Sequence, residues 1–403
     1  MSQRDVAALY VAWKGVFAVF HRGYWLVASL YLVIDANLSA FQLITIGVVQ
    51  SSVALIFEVP AGVVADTFSR KWSLVTAHLL MATAIVMTGI TTNYSALVVT
   101  QALWGVAWTF VSGADVAWVT DELHDERRKD RVLTGAARWE AAGSAVGLVV
   151  FGAFAWAANS GSAIIGAGVS IIVLGAIVAA KFPENWFTPT TTARWKASTA
   201  ILRSGVRLAT RDRDLLLVFA ATFLVNGAGE GFGRLYAKRL VALGWPRKPD
   251  PIVWYTVLGL LTLLTAAFVL RLVEARIDGV GVAQRSYVAG CALGMTGLLV
   301  VAHAPNSVTA AVGVLIVGGM SLTVLRVVGA IWVNRRAGAD ARATVHSFLA
   351  QAEYFGEIVV GFILALFARA TTVPSAMTGA AVVMAFATVL VLRHRTSELN
   401  SIQ

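Results

Sequence analysis

The sequence has very few of the residues that build a soluble, cross-linked or cysteine-coordinated domain. Only one of its 403 residues is a cysteine, Cys291, and it lies within an apolar stretch. No disulfide framework and no cysteine-based metal site is therefore expected. Charged residues make up 13% of the chain, against 58% hydrophobic residues and a mean hydropathy of +0.74. Too little remains outside the apolar stretches to form a soluble domain of ordinary size.

Several functional motifs are also missing. The sequence contains no G-x-x-x-x-G-K-[ST] loop, so we expect energy from a gradient rather than from bound ATP. It contains no H-E-x-x-H pair, which argues against an intramembrane enzyme and against a metal site. We predict no catalytic residue and no cofactor. The net charge of +10 does not indicate a nucleic-acid partner, because the basic residues lie where anionic lipid headgroups would meet them.

Twelve apolar stretches are long enough to cross a bilayer as α-helices, which takes roughly 20 residues each. The sequence therefore predicts an all-α membrane protein with twelve transmembrane helices in two pseudo-symmetric six-helix bundles. The predicted spans, numbered 1 to 12, cover about 13–34, 42–65, 72–91, 95–120, 131–158, 162–182, 214–237, 252–273, 284–303, 307–333, 342–369 and 372–392.

The distribution of Lys and Arg predicts the orientation. Of the 32 basic residues, 23 fall in the termini and alternate loops, five in the opposite loops and four inside spans. Positive charge is retained on the cytoplasmic side, so both termini should be cytoplasmic in a multi-pass protein of the cell membrane. A basic cluster in the loop 238–248 is a local exception. Span 1 is expected to be a retained anchor rather than a cleaved signal.

The longest interruption between spans separates two groups of six. It predicts bundles at 1–182 and 214–403, joined by a cytoplasmic linker at 183–213. Apolar residues spaced along the basic linker favour an amphipathic helix lying on the membrane surface, with a binding site as the alternative. Transporters of six plus six spans place their site near the midplane between repeats. Because such a layout buries its own polar groups, we expect a monomer.

The loop between spans 2 and 3 carries a recognisable signature. Gly62, Asp66, Arg70 and Lys71 match the pattern G-x-x-x-D-R-x-G-R-[RK], and the chain thereby resembles the major facilitator superfamily. In that family this loop gates alternating access, a role that the resemblance implies for Asp66, Arg70 and Lys71. Glu58, one turn before Gly62, is expected to belong to the same gate. The alternative is a positive-inside loop with an incidental aspartate.

The signature departs from the family at Thr67 and Ser69, which replace its inner Arg and second Gly. Two motifs of drug exporters are also incomplete. In span 4 the run Gln101-Ala-Leu-Trp104-Gly105 corresponds to R-x-x-Q-G, so the Arg of that motif is absent. Span 5 has Gly143 and Gly147 without the following proline of G-x-x-x-G-P. The resemblance therefore indicates a drug-exporter-like branch with degenerate motifs.

Span 4 places three indoles and a carboxylate on one helical face. Trp104, Trp108, Asp115 and Trp118 follow one another at i, i+4, i+11 and i+14. Such a face suits a cationic, partly apolar substrate through cation–π attraction and charge. The alternative is packing tryptophans with Asp115 paired to Arg138 on span 5.

Span 7 carries Asn226, Glu230 and Arg234 at four-residue spacing. A glutamate four residues before an arginine favours an intrahelical pair, whereas the surrounding glycines suggest a pliable helix at a substrate site. The two interpretations stay open. Glu230 would be the counterpart of Arg22, which lies in span 1 beside Trp25.

Span 11 carries His346, Glu353 and Glu357 on one face, at i, i+7 and i+11. Two neighbouring carboxylates in a membrane favour proton uptake by at least one of them, which would suit proton coupling. The alternative is a structural ion network with Arg326 on span 10.

These residues lead to one main hypothesis and two alternatives. The main one is a secondary active transporter that works by alternating access and exports amphiphilic small molecules in exchange for protons, with Asp115, Glu230 and Glu353 as coupling sites. Its predicted partners are a small-molecule substrate, protons and the lipid bilayer. The first alternative is a carrier of an anionic metabolite or lipid-like molecule, anchored by Arg22, Arg138 or Arg326. The second is a non-transporting membrane sensor.

Overall fold

The computed structural model describes residues 3–123, 126–189, 213–244, 249–274, 281–336 and 342–401. Within these residues the secondary structure is helical, and twelve spans are long and apolar enough to cross a membrane. The predicted fold class is thus confirmed. The amphipathic helix predicted in the linker, and the end of the basic loop 238–248, lie outside the described residues.

The first six spans comprise seven helices, because span 4 is interrupted. They are Gln3–Ile34, Ala40–Thr67, Arg70–Ile90, Tyr94–Ser112 with Asp115–Glu122, Glu126–Ala157 and Ser160–Lys181. Span 1 begins about ten residues before the predicted start, because the helix continues past the most apolar segment. This extension places Lys14 about three turns inside the helix.

The last six spans are Arg213–Ala242, Pro251–Glu274, Val282–His303, Ser307–Arg336, Arg342–Ala370 and Val373–Ser401. Span 10 changes type on the way, with an α-helix at Ser307–Val314, a π-helix at Leu315–Ser321 and an α-helix at Leu322–Arg336. Single π-helical turns inside α-helices are frequent at functional sites.

Short polar caps fix where several spans begin. The side chains of Ser69, Asn93, Asn159 and Asn306 each accept a hydrogen bond from a backbone N–H in the first turn of spans 3, 4, 6 and 10, at 2.8–3.1 Å. These bonds satisfy N–H groups that have no partner within the helix.

The chain divides into two compact units. The first comprises Met1–Leu38, Val49–Trp195 and Lys248–Gly259, and the second comprises Ser39–Val48, Lys196–Arg247 and Leu260–Gln403. The first three turns of span 2 therefore belong to the second unit.

Within each unit, glycines let two long helices approach closely. In the first unit, a Cβ at Gly147 of span 5 would collide with the Val19 carbonyl of span 1. In the second, a Cβ at Gly356 of span 11 would collide with the Phe223 carbonyl of span 7. Small residues at such contacts are the usual basis of helix packing in membranes, where burial of apolar surface contributes little between helices.

Candidate functional site

The second unit contains a cavity of about 200 Å³. Spans 7, 9, 10 and 11 line it, and its charged residues are Glu230, Arg326, Glu353 and Glu357, with Asn226 beside them. The structure thus brings together five of the residues singled out in the sequence. Helical spacing predicts which residues of one helix share a face, but not which helices meet. It therefore could not predict that these five residues line one cavity.

Span 7 supplies an ion pair to this cavity. Arg234 Nε donates to Glu230 Oε1 at 2.7 Å, and both side chains are 13% exposed. Asn226 Nδ2 donates to the Thr222 carbonyl of the same helix at 2.9 Å. The intrahelical pair indicated by the i, i+4 spacing therefore forms.

The helix of span 7 is continuous from Arg213 to Ala242, although its glycines suggested a pliable segment. These glycines serve contacts instead. A Cβ at Gly227 would collide with Val360, and one at Gly231 would lie 2.7 Å from Leu364, both on span 11. By contrast, a Cβ at Gly233 would meet nothing within 4 Å.

Spans 10 and 11 supply the remaining charges. Arg326 follows the π-helical segment and is exposed, while Glu353 and Glu357 are half-buried. Arg326 and Glu353 both line the cavity, but within the described part of the chain no ion pair of 4 Å or less joins them. The guanidinium and the carboxylate are thus available to a bound molecule.

His346 does not belong to this group. Its Nε2 lies 2.7 Å from Asn334 Oδ1 of span 10, and it does not line the cavity. His346 stands two turns before Glu353 on the same helical face. Residues that share a face can still lie far apart along the helix axis, so the two side chains do not meet.

An aromatic cluster in the first unit surrounds His21. The rings of Trp104 and Trp108 stack with centroids 5.5 Å apart, and each stacks on the imidazole at 5.7 Å. Trp25 Nε1 donates to His21 Nε2 at 3.2 Å and packs edge-on against Trp104. Trp104 is 6% exposed, and its Nε1 has no hydrogen-bond partner in the described residues.

Asp115 and Trp118 lie outside this cluster, but they contact the same helix, because Asp115 pairs with Lys14 and Trp118 stacks on Tyr10, both on span 1. The four residues of the predicted face therefore all contact span 1, at different levels along it. The helix of span 4 ends at Ser112 and restarts at Asp115. Trp118 is 1% exposed and donates through Nε1 to the Pro183 carbonyl at 2.8 Å. It is a buried structural residue of the first unit.

Asp115 pairs with a lysine that the sequence interpretation missed. Lys14 Nζ lies 3.1 Å from Asp115 Oδ2 and 3.4 Å from Glu140 Oε2, and Asp115 is 7% exposed. The expected partner, Arg138, is exposed and makes no ion pair within the described residues. Lys14 stands seven residues before His21, two turns along the same helix, which is the signal that could have revealed it.

Arg22 also lies in the first unit and is half-buried. It makes no ion pair and no side-chain hydrogen bond with the described residues. Within the described residues, neither Arg22 nor the exposed Arg138 is paired with a carboxylate.

The residues predicted to form the gate include a charge cluster in the first unit. Arg70 lies 3.5 Å from Asp66, pairs with Asp121 of span 4, and donates to the Ala117 carbonyl at 2.6 Å. Asp66 is 4% exposed. The arginine thus ties the end of span 2 to the second helix of span 4.

The other residues predicted to belong to the gate are each in a different environment. Gly62 packs against the interruption of span 4, since its Cα would lie 3.6 Å from a Cβ at Gly113. Glu58 is half-buried, and its Oε2 has no hydrogen-bond partner in the described residues. Lys71 donates its backbone N–H to Glu184 at 3.0 Å, while its ammonium lies 5.9 Å from the Trp72 ring.

Ser69, the departure from the signature, has a role of its own. Its Oγ caps span 3 and donates to Glu184 Oε2 at 2.5 Å. A glycine could make neither bond, so the substitution ties the loop to the segment that follows span 6.

Comparison with known proteins agrees with this architecture. A model described as Major Facilitator Superfamily matches residues 15–361. Compared with curated proteins, the chain has no significant match. A structure of the nucleoside transporter NupG is similar, with a TM-score of 0.75 at 13% identity over 97% of this chain and 98% of that one.

Two further solved structures share the fold. The peptide transporter POT in complex with sulfate gives a TM-score of 0.73 at 14% identity, covering 97% of both chains. A bacterial homolog of the human lysosomal transporter Spinster, inward-facing and unoccupied, gives 0.71 at 12% identity, over 97% of this chain and 95% of that one.

At such identities the structural likeness shows the fold, while the family match covers most of the chain. The predictions of superfamily and of a carrier rather than an enzyme are therefore confirmed, and the fold is that of secondary transport in a multi-pass membrane protein. The chain belongs to the Major Facilitator Superfamily.

Proposed function

We propose that the protein is a proton-coupled secondary transporter that exports amphiphilic small molecules across the cell membrane as a monomer, with both termini cytoplasmic. The single observation that carries the proposal is the charged cavity of the second unit. Besides the Glu230–Arg234 pair, Arg326 and two further carboxylates, Glu353 and Glu357, line this cavity.

A carboxylate at membrane depth is costly unless it carries a proton or faces a cationic group. A proton and a cationic substrate would compete for the same oxygens, and competition for one site is the simplest basis of exchange. We therefore assign proton and substrate binding to Glu353 and Glu357, which lie one turn apart on span 11 and line the same cavity.

The size of the cavity limits what it can bind. Pockets for whole drug-sized ligands are about 300–1,000 Å³, whereas this cavity has about 200 Å³. It would therefore hold the polar end of a substrate. The aromatic cluster of Trp25, Trp104 and Trp108 in the first unit is proposed as a separate contact for apolar or cationic groups, since indole faces attract cations.

A second candidate function has its own support. Arg22 and Arg138 make no ion pair within the described residues, and Arg326 is exposed. Unneutralised arginines would favour an anionic metabolite or lipid-like substrate. A sensor that binds such ligands without transport is the remaining alternative.

The test uses purified protein in liposomes that contain a pH-sensitive dye, with an imposed proton gradient. Panels of lipophilic cations and of organic anions are added in turn. We expect cations to trigger proton flux that is lost in Glu353→Gln. The matched control is Glu274→Gln, which neutralises an exposed carboxylate outside the cavity and should change nothing.

Each other outcome favours another function. Flux triggered only by anions and lost in Arg22→Gln or Arg326→Gln would establish the anion carrier. Saturable binding of a ligand without flux under any gradient would indicate the sensor. Flux with cations that persists in Glu353→Gln and Glu357→Gln would contradict the assignment of the coupling site.

A further inference from the structure

The Glu230–Arg234 pair has a second neighbour besides the cavity. In span 2, Gly47 lies so close to it that a Cβ there would collide with Glu230 Oε1 and stand 2.5 Å from Arg234 Nε. Gly47 belongs to the first three turns of span 2, which are part of the second unit. The ion pair is therefore covered by helix backbone.

The same turns of span 2 pack against span 11 around the same glutamate. A Cβ at Gly361 would lie 3.5 Å from Glu230 Cγ, 3.3 Å from Val48 Cγ2 and 4.0 Å from Ile44 Cγ2. Ile44 is 0% exposed. Glu230 is thus enclosed by two glycines, one on span 2 and one on span 11, while it also lines the cavity.

We propose that Gly47 is a positioning residue for the cavity: it holds the Glu230–Arg234 pair closed beneath the first turns of span 2, so that the pair opens only when those turns move away. The two side chains fill the space that any larger residue at position 47 would need. Protonation or ligand binding at the Glu230 carboxylate then changes how tightly Ile44 and Val48 pack, and the packing of these residues in turn affects Glu230. This inference deepens the proposed function and rests on it for its role in transport.

The test measures how fast a thiol at position 44 reacts, which requires no transport. Cys291 is fully buried and is replaced by alanine, so that Ile44→Cys carries the only thiol. The reagent is a water-soluble maleimide, applied to the full-length protein in liposomes. Slow labelling indicates that the first turns of span 2 are packed against spans 7 and 11.

Three variants separate the linkage from simple packing. Glu230→Gln keeps the shape of the side chain but weakens a charge-assisted bond, and we expect about tenfold faster labelling. Gly47→Ala should accelerate labelling to a similar extent. In a Glu230→Ala background the added Gly47→Ala should have almost no further effect, because the colliding carboxylate is gone.

Two controls are matched to these changes. Gly233→Ala alters a glycine of span 7 that faces open space, and Glu274→Gln neutralises an exposed carboxylate outside the cavity. Both should leave the labelling rate unchanged. The inference would be overturned if Glu230→Gln left the labelling rate unchanged. It would also be overturned if Gly47→Ala accelerated labelling equally with and without the Glu230 carboxylate. Absence of proton flux with these labelling results intact would instead refute the proposed function alone.

Discussion

Two intramembrane charge clusters, one in each unit, are built differently. In the first, the Lys14 ammonium lies between Asp115 and Glu140, with Asp115 only 7% exposed. In the second, Arg326 shares a cavity with Glu353 and Glu357 without forming an ion pair with Glu353. A closed pair stabilises the fold, whereas charges left open to a cavity are available to a ligand or a proton. The Lys14 cluster should therefore respond to charge substitutions in stability, and the Arg326 cluster in transport.

The largest effect is expected at Lys14. Lys14→Met leaves Asp115 buried without its cation, and breaking a buried pair from one side costs about 3–5 kcal/mol. We expect a large fall in the melting temperature, measured by intrinsic fluorescence in detergent.

The matched control for Lys14→Met is the double variant with Asp115→Asn. It removes both charges and should recover most of the lost stability. An unchanged melting temperature together with lost proton flux would break the comparison, because Asp115 would then act as the coupling site that its sequence context suggested.

The second largest effect is expected at Arg326 and concerns affinity. A hydrogen bond to a charged group contributes about 1.5–3 kcal/mol, so Arg326→Gln should weaken substrate binding roughly tenfold to a hundredfold. The melting temperature should change little because the side chain is exposed. Isothermal titration with a substrate from the liposome screen measures the first quantity, and fluorescence melting the second. A large fall in stability with unchanged affinity would place Arg326 in the same class as Lys14.

The helix packing of the two units should respond alike, unlike their charges. Gly147→Ala in span 5 and Gly356→Ala in span 11 each push a methyl group into a facing carbonyl, and overpacking of this kind costs about 1–3 kcal/mol. Gly233→Ala meets open space and should be neutral or stabilising by up to about 1 kcal/mol. Melting curves of the three variants measure this directly. A strong effect of Gly147→Ala alone would show that the two helix pairs are not equivalent.

A feature of the fold or of the site could be predicted from the sequence when the residues that produce it lie close together in the chain. The twelve spans were predictable because the length of an apolar run alone decides whether a helix can cross the bilayer. The Glu230–Arg234 pair was predictable because both residues lie on one helix, one turn apart. In each case the evidence is local in the chain.

The partners of three side chains could not be predicted from periodicity along one helix. Lys14 pairs with Asp115, 101 positions away. Trp118 stacks on Tyr10 of span 1 and donates to the Pro183 carbonyl. His346 Nε2 lies 2.7 Å from Asn334 Oδ1 of span 10. Periodicity gives the face of a helix but not the element that packs against that face.

The smallest expected effect concerns the caps of the two units. Ser69 caps span 3 and also binds Glu184, whereas Asn306 caps span 10 within its own first turn. Loss of a cap costs about 1 kcal/mol, so Asn306→Ala should show that loss alone. Ser69→Ala should show the same loss plus that of the bond to Glu184, and Glu184→Gln should reduce the difference between the two. Melting temperatures of the three variants and of the double variant Ser69→Ala/Glu184→Gln measure the coupling. If Ser69→Ala costs no more stability than Asn306→Ala, the bond to Glu184 adds no stability. The loop between spans 2 and 3 would then be held by Arg70 and its two carboxylates rather than by the segment after span 6.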